Sequence, residues 1–291
     1  MKRIIDWFLN LFKRKEYVDH RICGRKMGYW CMWFIIMNFF TLNVYSTLYF
    51  TIDDWVKISN PFYSYGSEIT VECWGYTSPQ GADSCWISQA TEGIDSQATN
   101  VFLLYKSGAS LVFFFINDSA GSWHSVSFNT TPNKWHHLVG RCNTNSTDLF
   151  IDGEQVGTTT GVSAIKQNSG STIGIGRDMR NANYMTGFVS NVRIYNRRLS
   201  NNEIKSNMYN NVMVTNGLVE YWKLDDTVGT RVNDYSGNNK FGNIIGATWV
   251  YDNPPIMTNQ IDIQEEGKLN TNPLDWFVKL INKICGIDFK V

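Results

Sequence analysis

Between about residues 46 and 253 the chain alternates short apolar runs with clusters of Gly, Asn, Ser and Asp. This pattern is typical of antiparallel β-sheet proteins. In Glu68–Trp74 every second residue is apolar, which predicts a strand with one face toward the core. The run Leu111–Ile116 is apolar throughout and predicts a central strand covered on both faces. The pattern as a whole predicts an all-β sandwich or jelly roll.

Two local signals add detail to this domain. Asp152 and Gly153 separate two strand-like runs, and this pair tolerates the positive φ of a type I′ hairpin turn. Ser200 and Glu203 form a capping box, since the serine side chain reaches the third helical amide and the glutamate reaches back. A helix of about two turns is therefore predicted after Ser200.

Both ends of the chain differ from the middle. Residues 1–26 contain eight basic and three acidic residues, a net charge of +5, and predict a basic amphipathic helical arm. Residues 27–45 contain no charged residue and favour a transmembrane helix, with residues 1–26 on the cytoplasmic side. An arm buried in an assembly and a signal sequence are the alternatives. Residues 254–291 predict a polar linker followed by an amphipathic helix.

The two terminal helices share a short pattern, which favours docking in a bilayer interface or on protein partners. Packing of each helix on its own domain is the alternative. The aromatic residues expected to contact lipid or neighbouring subunits are Trp7, Phe8, Trp30, Trp33, Trp276 and Phe277.

Composition excludes some classes of partner. The 26 basic and 26 acidic residues balance, so no overall field attracts nucleic acid, and no nucleic-acid partner is expected. The six cysteines have neither zinc-site spacing nor the density of a disulfide framework. They are interpreted as mostly reduced, with several acting as small buried hydrophobes.

A series of motifs resembles the laminin-G-like jelly-roll domains of the concanavalin A-like lectin/glucanase superfamily. The resemblance is strongest at Lys134–Val139 and Leu149–Gly153, and it continues at Val192–Arg197. It covers roughly 200 residues and implies an antiparallel concanavalin A-like sandwich over residues 46–253, with the helical arms outside it.

Two departures from the family pattern affect this expectation. The element that usually opens such domains stands near the end here, as Gly217–Leu224 followed by Asp234–Asn238. It either closes the sandwich as a permuted strand or is the remnant of a second copy. Family members also tend to carry an acidic pair where this chain has Ser190 and Asn191. That difference weakens an inherited calcium site.

No catalytic residues are predicted. Glucanases of this superfamily carry the motif E-x-D-x-x-E on one strand, and the jelly-roll sequence lacks it. Asp262, Glu265 and Glu266 form the nearest acidic cluster, but their spacing is wrong. His136 and His137 are adjacent, so on a strand they point to opposite faces and cannot share one metal ion. The chain is therefore not expected to be an enzyme.

Two candidate binding sites remain, and each has a structural alternative. Trp123, Asn183 and Tyr184 lie on predicted loops and offer an aromatic platform with an amide for glycan binding. Asp234 and Asn238 offer oxygen ligands for calcium, the one cofactor considered, although turn formation explains the same residues. Exposed aromatic residues are equally often core or protein-contact residues.

The function predicted from these features is structural. Jelly rolls with membrane-directed arms suit minor capsid proteins that link a protein lattice to an internal virion membrane. The Asn-rich composition also resembles laminin-G-like proteins encoded by large DNA viruses. Partners would be other protein subunits and membrane lipid. The alternative is a membrane-anchored glycan-binding adhesin, or lectin, at the cell surface. Glycoside hydrolysis is the least favoured function.

Overall fold

The computed structural model describes residues 47–77, 83–94, 99–180, 183–209 and 213–250. The predicted N-terminal arm, the apolar segment 27–45 and the C-terminal helix lie outside these residues. Within the described ranges, no helix combines the length and the hydropathy needed to cross a bilayer. The helical arms, the membrane span and the acidic cluster at 262–266 therefore stay predictions. The same holds for Trp7, Phe8, Trp30, Trp33, Trp276 and Phe277.

Over the described residues the chain forms sixteen strands and one short helix, so the all-β prediction is confirmed. The helix, α1, spans Asn201–Met208. The strands are, in chain order, β1 (Thr47–Phe50), β2 (Trp55–Ile58), β3 (Ile69–Thr77), β4 (Ser84–Ala90), β5 (Phe102–Ser107), β6 (Leu111–Asn117), β7 (Trp123–Asn129), β8 (Lys134–Cys142), β9 (Ser146–Ile151), β10 (Glu154–Thr160), β11 (Thr172–Ile175), β12 (Gly187–Tyr195), β13 (Leu218–Trp222), β14 (Arg231–Val232), β15 (Gly242–Ile245) and β16 (Thr248–Val250).

The strands form two antiparallel sheets of eight strands each. Sheet A has the order β10-β9-β8-β3-β12-β1-β16, and β13 also pairs with β12. Sheet B has the order β14-β15-β2-β11-β4-β5-β6-β7. Strands that are neighbours in a sheet are often distant in the chain, as β3 and β12 are. This topology agrees with the predicted jelly-roll sandwich.

The hydrophobic core lies between the sheets. In β3 the alternating residues Ile69, Val71 and Cys73 are fully buried, as the sequence pattern predicts. A Cβ atom on Gly140 of β8 would lie only 2.1 Å from the ring of Phe114 in β6. The sheets therefore approach closely where a glycine on one faces an aromatic ring on the other.

The expectation for Leu111–Ile116 is wrong in one respect. Its strand, β6, alternates between buried and partly exposed residues along its length. Phe114 faces the core and is fully buried, whereas Phe113 and Phe115 point to the outer face and are only half-buried. An all-apolar run thus forms a strand with one covered face, because the side chains on the other face are large enough to shield one another.

Both local predictions are confirmed. Asp152 and Gly153 connect β9 to β10 with φ values of +51° and +79°, as a type I′ turn requires. At the start of α1 the Ser200 hydroxyl accepts the Glu203 N–H at 3.3 Å. The Glu203 carboxylate accepts the Ser200 N–H at 2.8 Å, which completes the capping box.

The segment Gly217–Leu224 closes the sandwich as a permuted strand. Its strand, β13, pairs with residues 192–195 of β12 in sheet A. The buried Trp222 contributes to the same core as the earlier strands. The chain then crosses to sheet B, where β14 and β15 extend the edge next to β2.

Three of the six cysteines fall within the described residues. Cys73, Cys85 and Cys142 are free and buried. Burial raises the pKa of each thiol, so all three stay protonated at neutral pH. This agrees with their interpretation as reduced, hydrophobic core residues.

Candidate functional site

The outer face of sheet A carries α1. Ile204 of the helix packs with Val139 of β8 and Phe150 of β9, and all three are fully buried. Tyr195 and Leu199 complete this second apolar cluster. Because the helix seals this part of the face, residues beneath it cannot reach a ligand.

An ion pair lies buried in the same layer. The Arg193 guanidinium lies 2.8 Å from Glu72, and the Asn207 amide donates to the same carboxylate oxygen at 3.0 Å. Burial alone would lower the pKa of Arg193, but the adjacent Glu72 carboxylate raises it, so the arginine stays charged. We therefore assign this cluster a structural role.

The adjacent histidines differ in their surroundings. His137 is fully buried, and the loss of solvation, together with the Arg193 charge, lowers its pKa to about 3. His136 instead places Nδ1 2.7 Å from the Asp152 carboxylate. Among the described residues no group of three His, Cys, Asp or Glu side chains could hold a metal ion.

The outer face of sheet B carries four partly exposed aromatic residues that we call the aromatic strip: Tyr105, Phe113, Phe115 and Trp123. The rings of Phe113 and Phe115 are nearly parallel with centroids 5.2 Å apart. Trp123 meets Phe115 edge-on at 5.7 Å, and Tyr105 lies 6.3 Å from Phe113. The strip therefore crosses three neighbouring strands as one apolar surface.

Strand register places polar side chains along the strip. Phe115 pairs with Ser125 of β7, and Phe113 pairs with Ser127. Paired residues point to the same face of a sheet, so both hydroxyls stand beside the rings. Ser125 and Ser127 are exposed. They can offer hydrogen bonds to a ligand that lies on the strip.

The loop between β11 and β12 crosses this outer face, and we call residues 177–186 the crossing segment; residues 181 and 182 lie outside the described residues. The Ser88 hydroxyl of β4 donates to the Arg177 carbonyl at 2.8 Å and accepts the Met179 N–H at 2.9 Å. A Cβ atom on Gly174 of β11 would lie 2.5 Å from the Met179 sulfur. A glycine is therefore needed for the segment to lie this close to the sheet.

The crossing segment brings charge to the end of the strip. The Arg180 guanidinium lies 5.5 Å from the Trp123 ring and 2.7 Å from the Asp178 carboxylate. Arg177 lies over a different pair of rings, 4.6 Å from Trp55 and 5.3 Å from Tyr184. The result is an apolar surface with a partly exposed guanidinium at its margin, and the carboxylate that pairs with it is buried.

The three predicted glycan-binding residues all lie on this face, in two places. Trp123 is the first residue of β7 and not part of a loop, so its predicted location is wrong. Tyr184 lies within the crossing segment and packs with Trp55 and Met179. Asn183 accepts the Asp178 N–H through its main-chain carbonyl at 3.1 Å. Of the three, Trp123 alone belongs to the strip.

Tyr105, Phe113 and Phe115 were missed at the sequence level. The signal that could have found Phe113 and Phe115 is their shared parity in β6, opposite the polar Ser125 and Ser127 of β7. That signal can be recognised only once the pairing of β6 with β7 is known. Residue spacing within one strand does not reveal which strand lies beside it.

Tyr105 is held at the other end of the strip. Asp83 accepts the Ser107 hydroxyl at 3.0 Å and the Gly108 N–H at 3.1 Å. Its hydrogen bond with Tyr105 is the main reason that the pKa of Asp83 is lowered. Burial, followed by this carboxylate, raises the pKa of Tyr105. The tyrosine is therefore a protonated donor whose ring position is set by Asp83.

Sheet A has its own aromatic surface, which we call the aromatic row: Tyr49, Tyr76, Trp135 and Phe188. Register places one ring on each of four neighbouring strands, and all four are partly exposed. Tyr49 and Phe188 lie 5.1 Å apart, and Tyr76 and Trp135 lie 5.9 Å apart. The row is the natural comparison for the strip, because it also consists of four partly exposed aromatic residues and lies on the opposite sheet.

The predicted calcium ligands lie in one turn. The Asp234 carboxylate accepts the N–H groups of Tyr221 at 3.2 Å, Ser236 at 2.8 Å and Lys240 at 2.8 Å. Asn238 donates to the Val219 carbonyl at 2.9 Å. Both side chains therefore have a role in stabilising the turn through hydrogen bonds. A calcium site stays a prediction.

A laminin G domain model, described as the concanavalin A-like lectin/glucanases superfamily, matches residues 50–205. The match extends from β1 into α1 and includes every strand of the strip. The chain belongs to this superfamily. Among curated proteins no match is found. Superfamily membership confirms the resemblance seen in the motifs, and the viral origin stays a prediction.

Two solved structures show the superfamily fold. A protein from Bacteroides ovatus, provisionally assigned as carbohydrate-binding, superposes with a TM-score of 0.55 at 20% identity. The alignment covers 74% of this chain and 62% of that protein, so this chain spans less than two thirds of its length. A heptameric SAP-like pentraxin from Limulus polyphemus has a TM-score of 0.53 at 13% identity, covering 74% and 98% of the chains.

Proposed function

We propose that the chain is a non-catalytic carbohydrate-binding domain that holds glycan on the aromatic strip. The observation that carries this proposal is the position of four partly exposed rings on one outer face, beside a charged crossing segment. Superfamily membership supports it, as does the fold shared with the Bacteroides protein.

The chemistry of the strip suits a sugar ring. A pyranose has an apolar C–H face that stacks on aromatic side chains, while its hydroxyls need a few placed polar partners. On this face those partners are the partly exposed Arg180 guanidinium, which the buried Asp178 holds in place, and the hydroxyls of Ser125 and Ser127. Stacking on the rings buries apolar area of the sugar, and the polar groups fix the orientation of the sugar.

The contribution of one aromatic ring to the free energy of binding can be given a range. Covering roughly 60–100 Å² of ring surface contributes about 1.5–2.5 kcal/mol at about 25 cal/mol per Å². That corresponds to roughly a 10- to 70-fold change in Kd. Trp123 offers the largest ring, and Arg180 lies over it, so its removal should have the largest effect of the four.

A glycan array probed with the full chain tests the proposal, followed by titration of any hit against variants. Trp123→Ala should weaken binding 10-fold or more, and Phe115→Ala should weaken it less. Trp135→Ala removes a partly exposed tryptophan from the aromatic row on the opposite sheet and is the matched control. Circular dichroism and thermal unfolding of each variant separate binding from folding.

The outcomes divide clearly. Loss of binding in the Trp123 variant, with binding kept in the Trp135 variant, supports the strip. The reverse result moves the site to the aromatic row and overturns its assignment to sheet B. An array without hits, obtained with folded protein, overturns the carbohydrate function.

The structural role is the second candidate, and the aromatic row favours it as another partly exposed apolar surface. In this proposal residues 1–45 and 261–291 contact neighbouring subunits or lipid, and the domain sits in a virion or at a membrane. Cross-links from both tails to capsid or membrane-complex subunits would support it. Release of the full chain from membranes by mild salt, without such cross-links, would overturn it.

A further inference from the structure

A cavity of about 250 Å³ lies at the opposite edge of sheet B from the strip. It is formed where β14 and β15 meet the end of β2. Its lining includes two cations, three amides and one aromatic ring: Arg231, Lys240, Asn60, Asn239, Asn243 and Phe241. No carboxylate contributes to the lining.

The two cations of the lining, Arg231 and Lys240, have no carboxylate partner at ion-pair distance among the described residues. Asp234 contacts Lys240 through the main-chain N–H, and its oxygens already accept the amides of the turn. Glu220 is the other acid near Lys240, and burial raises the pKa of its carboxyl well above the usual range. Its carboxyl group accepts the Phe62 N–H at 2.7 Å and forms no ion pair with Lys240 in the described part of the chain.

The cavity is held in place by main-chain contacts. The Lys240 carbonyl accepts the Trp222 indole N–H at 2.7 Å, while its N–H donates to Asp234 at 2.8 Å. Arg231 pairs with Asn243 in the sheet, and its guanidinium lies 4.3 Å from the Phe241 ring. A guanidinium positioned in this way can receive a carboxylate or sulfate through two parallel hydrogen bonds.

We infer that this cavity binds an acidic sugar, with Arg231 and Lys240 receiving the carboxylate or sulfate group. The volume exceeds what a lone inorganic anion needs and is close to that of one sugar unit. The three asparagine amides supply donors and acceptors for ring hydroxyls. Phe241, which is 39% exposed, offers a surface for the apolar face of the ring.

This inference rests on the proposed carbohydrate function for its class of ligand, but it uses a site separate from the strip. The test uses the full chain in calorimetric titrations with four probes. They are trigalacturonate, its neutral methyl ester, a sulfated disaccharide and inorganic sulfate. Titrations at 50 and 500 mM NaCl measure the electrostatic share of binding.

Either acidic sugar should bind, and the neutral ester should bind at least 10-fold more weakly. Arg231→Gln and Lys240→Gln should each weaken binding 5-fold or more, and high salt should weaken it in the unmodified chain. Lys205→Gln removes one positive charge from α1, which lies on sheet A, and should change affinity less than 2-fold. Trp123→Ala should leave this binding unchanged.

Three results would overturn the inference. They are equal binding of the ester, binding of sulfate as tight as that of the sugars, and acidic-sugar binding that survives both cavity substitutions. The two proposals fail separately. Acidic-sugar binding that depends on Arg231 but not on Trp123 supports the cavity even if the strip binds nothing. Glycan binding that depends only on Trp123 supports the strip alone.

Discussion

The two outer faces of the sandwich carry similar residues with opposite consequences. Under α1, sheet A buries Glu72, Arg193 and Phe150 almost completely. On sheet B, Phe113 and Phe115 stay partly exposed, and so does the Arg180 guanidinium at the end of the strip. Residue type therefore does not distinguish a covered face from an exposed one. The presence of a covering element does, since it decides whether water and ligands can reach the side chains.

The largest effect should come from breaking the buried ion pair of sheet A. Arg193→Met leaves the Glu72 carboxylate buried without its cation, which should cost about 3–5 kcal/mol of unfolding free energy. Arg177→Met, in the crossing segment over sheet B, removes a guanidinium 3.7 Å from Glu92 and should cost less, because the partly exposed Glu92 keeps Lys57 as a second partner. Chemical denaturation of both variants measures the difference. Similar losses would show that the faces do not differ in this way.

A phenylalanine on each outer face gives a second comparison. Phe150→Ala removes a ring that is fully buried beneath α1 and should cost about 3–5 kcal/mol. Phe113→Ala removes a half-buried ring from the strip and should cost about 1 kcal/mol. Thermal and urea unfolding test this, with circular dichroism to confirm the fold. A large loss for Phe113 would mean that the strip is part of the core.

The third prediction concerns pH. The pKa of His137 is lowered to about 3 by burial, against about 6.5 when unfolded, so the unfolded chain binds more protons between these values. Stability should therefore fall as pH drops through this window, by about 2 kcal/mol between pH 7 and pH 5. His137→Gln should flatten this dependence. A slope unchanged in the variant would assign the acid sensitivity to other groups.

The smallest effect concerns the helix that covers sheet A. Ser200→Ala removes the cap of α1 and should cost about 1 kcal/mol. Ser127→Ala removes an exposed hydroxyl beside the strip and should change stability by less than about 0.5 kcal/mol. Hydrogen exchange of residues 201–208 should report the first loss locally. Equal protection in both variants would contradict the role of the cap.

Much of the fold could be predicted from local pattern. Alternation in β3, the turn at Asp152 and the cap at Ser200 all depend on neighbours within a few residues, and the structure agrees with each. The placement of Gly217–Leu224 as a closing strand was one of two alternatives, and strand pairing decided between them. Local chemistry determines such elements because their contacts are short-range.

The candidate sites were less predictable, because residues distant in the chain form them. The sequence singled out Trp123 as a candidate binding residue, but Tyr105 and Phe115 of the same strip lie on other strands. The cavity is lined by Asn60 and Arg231, which are far apart in the sequence. The sequence determined which strands form and which residues are apolar. The tertiary structure alone decided which faces are covered and which charges stay unpaired, because burial depends on what packs above a residue.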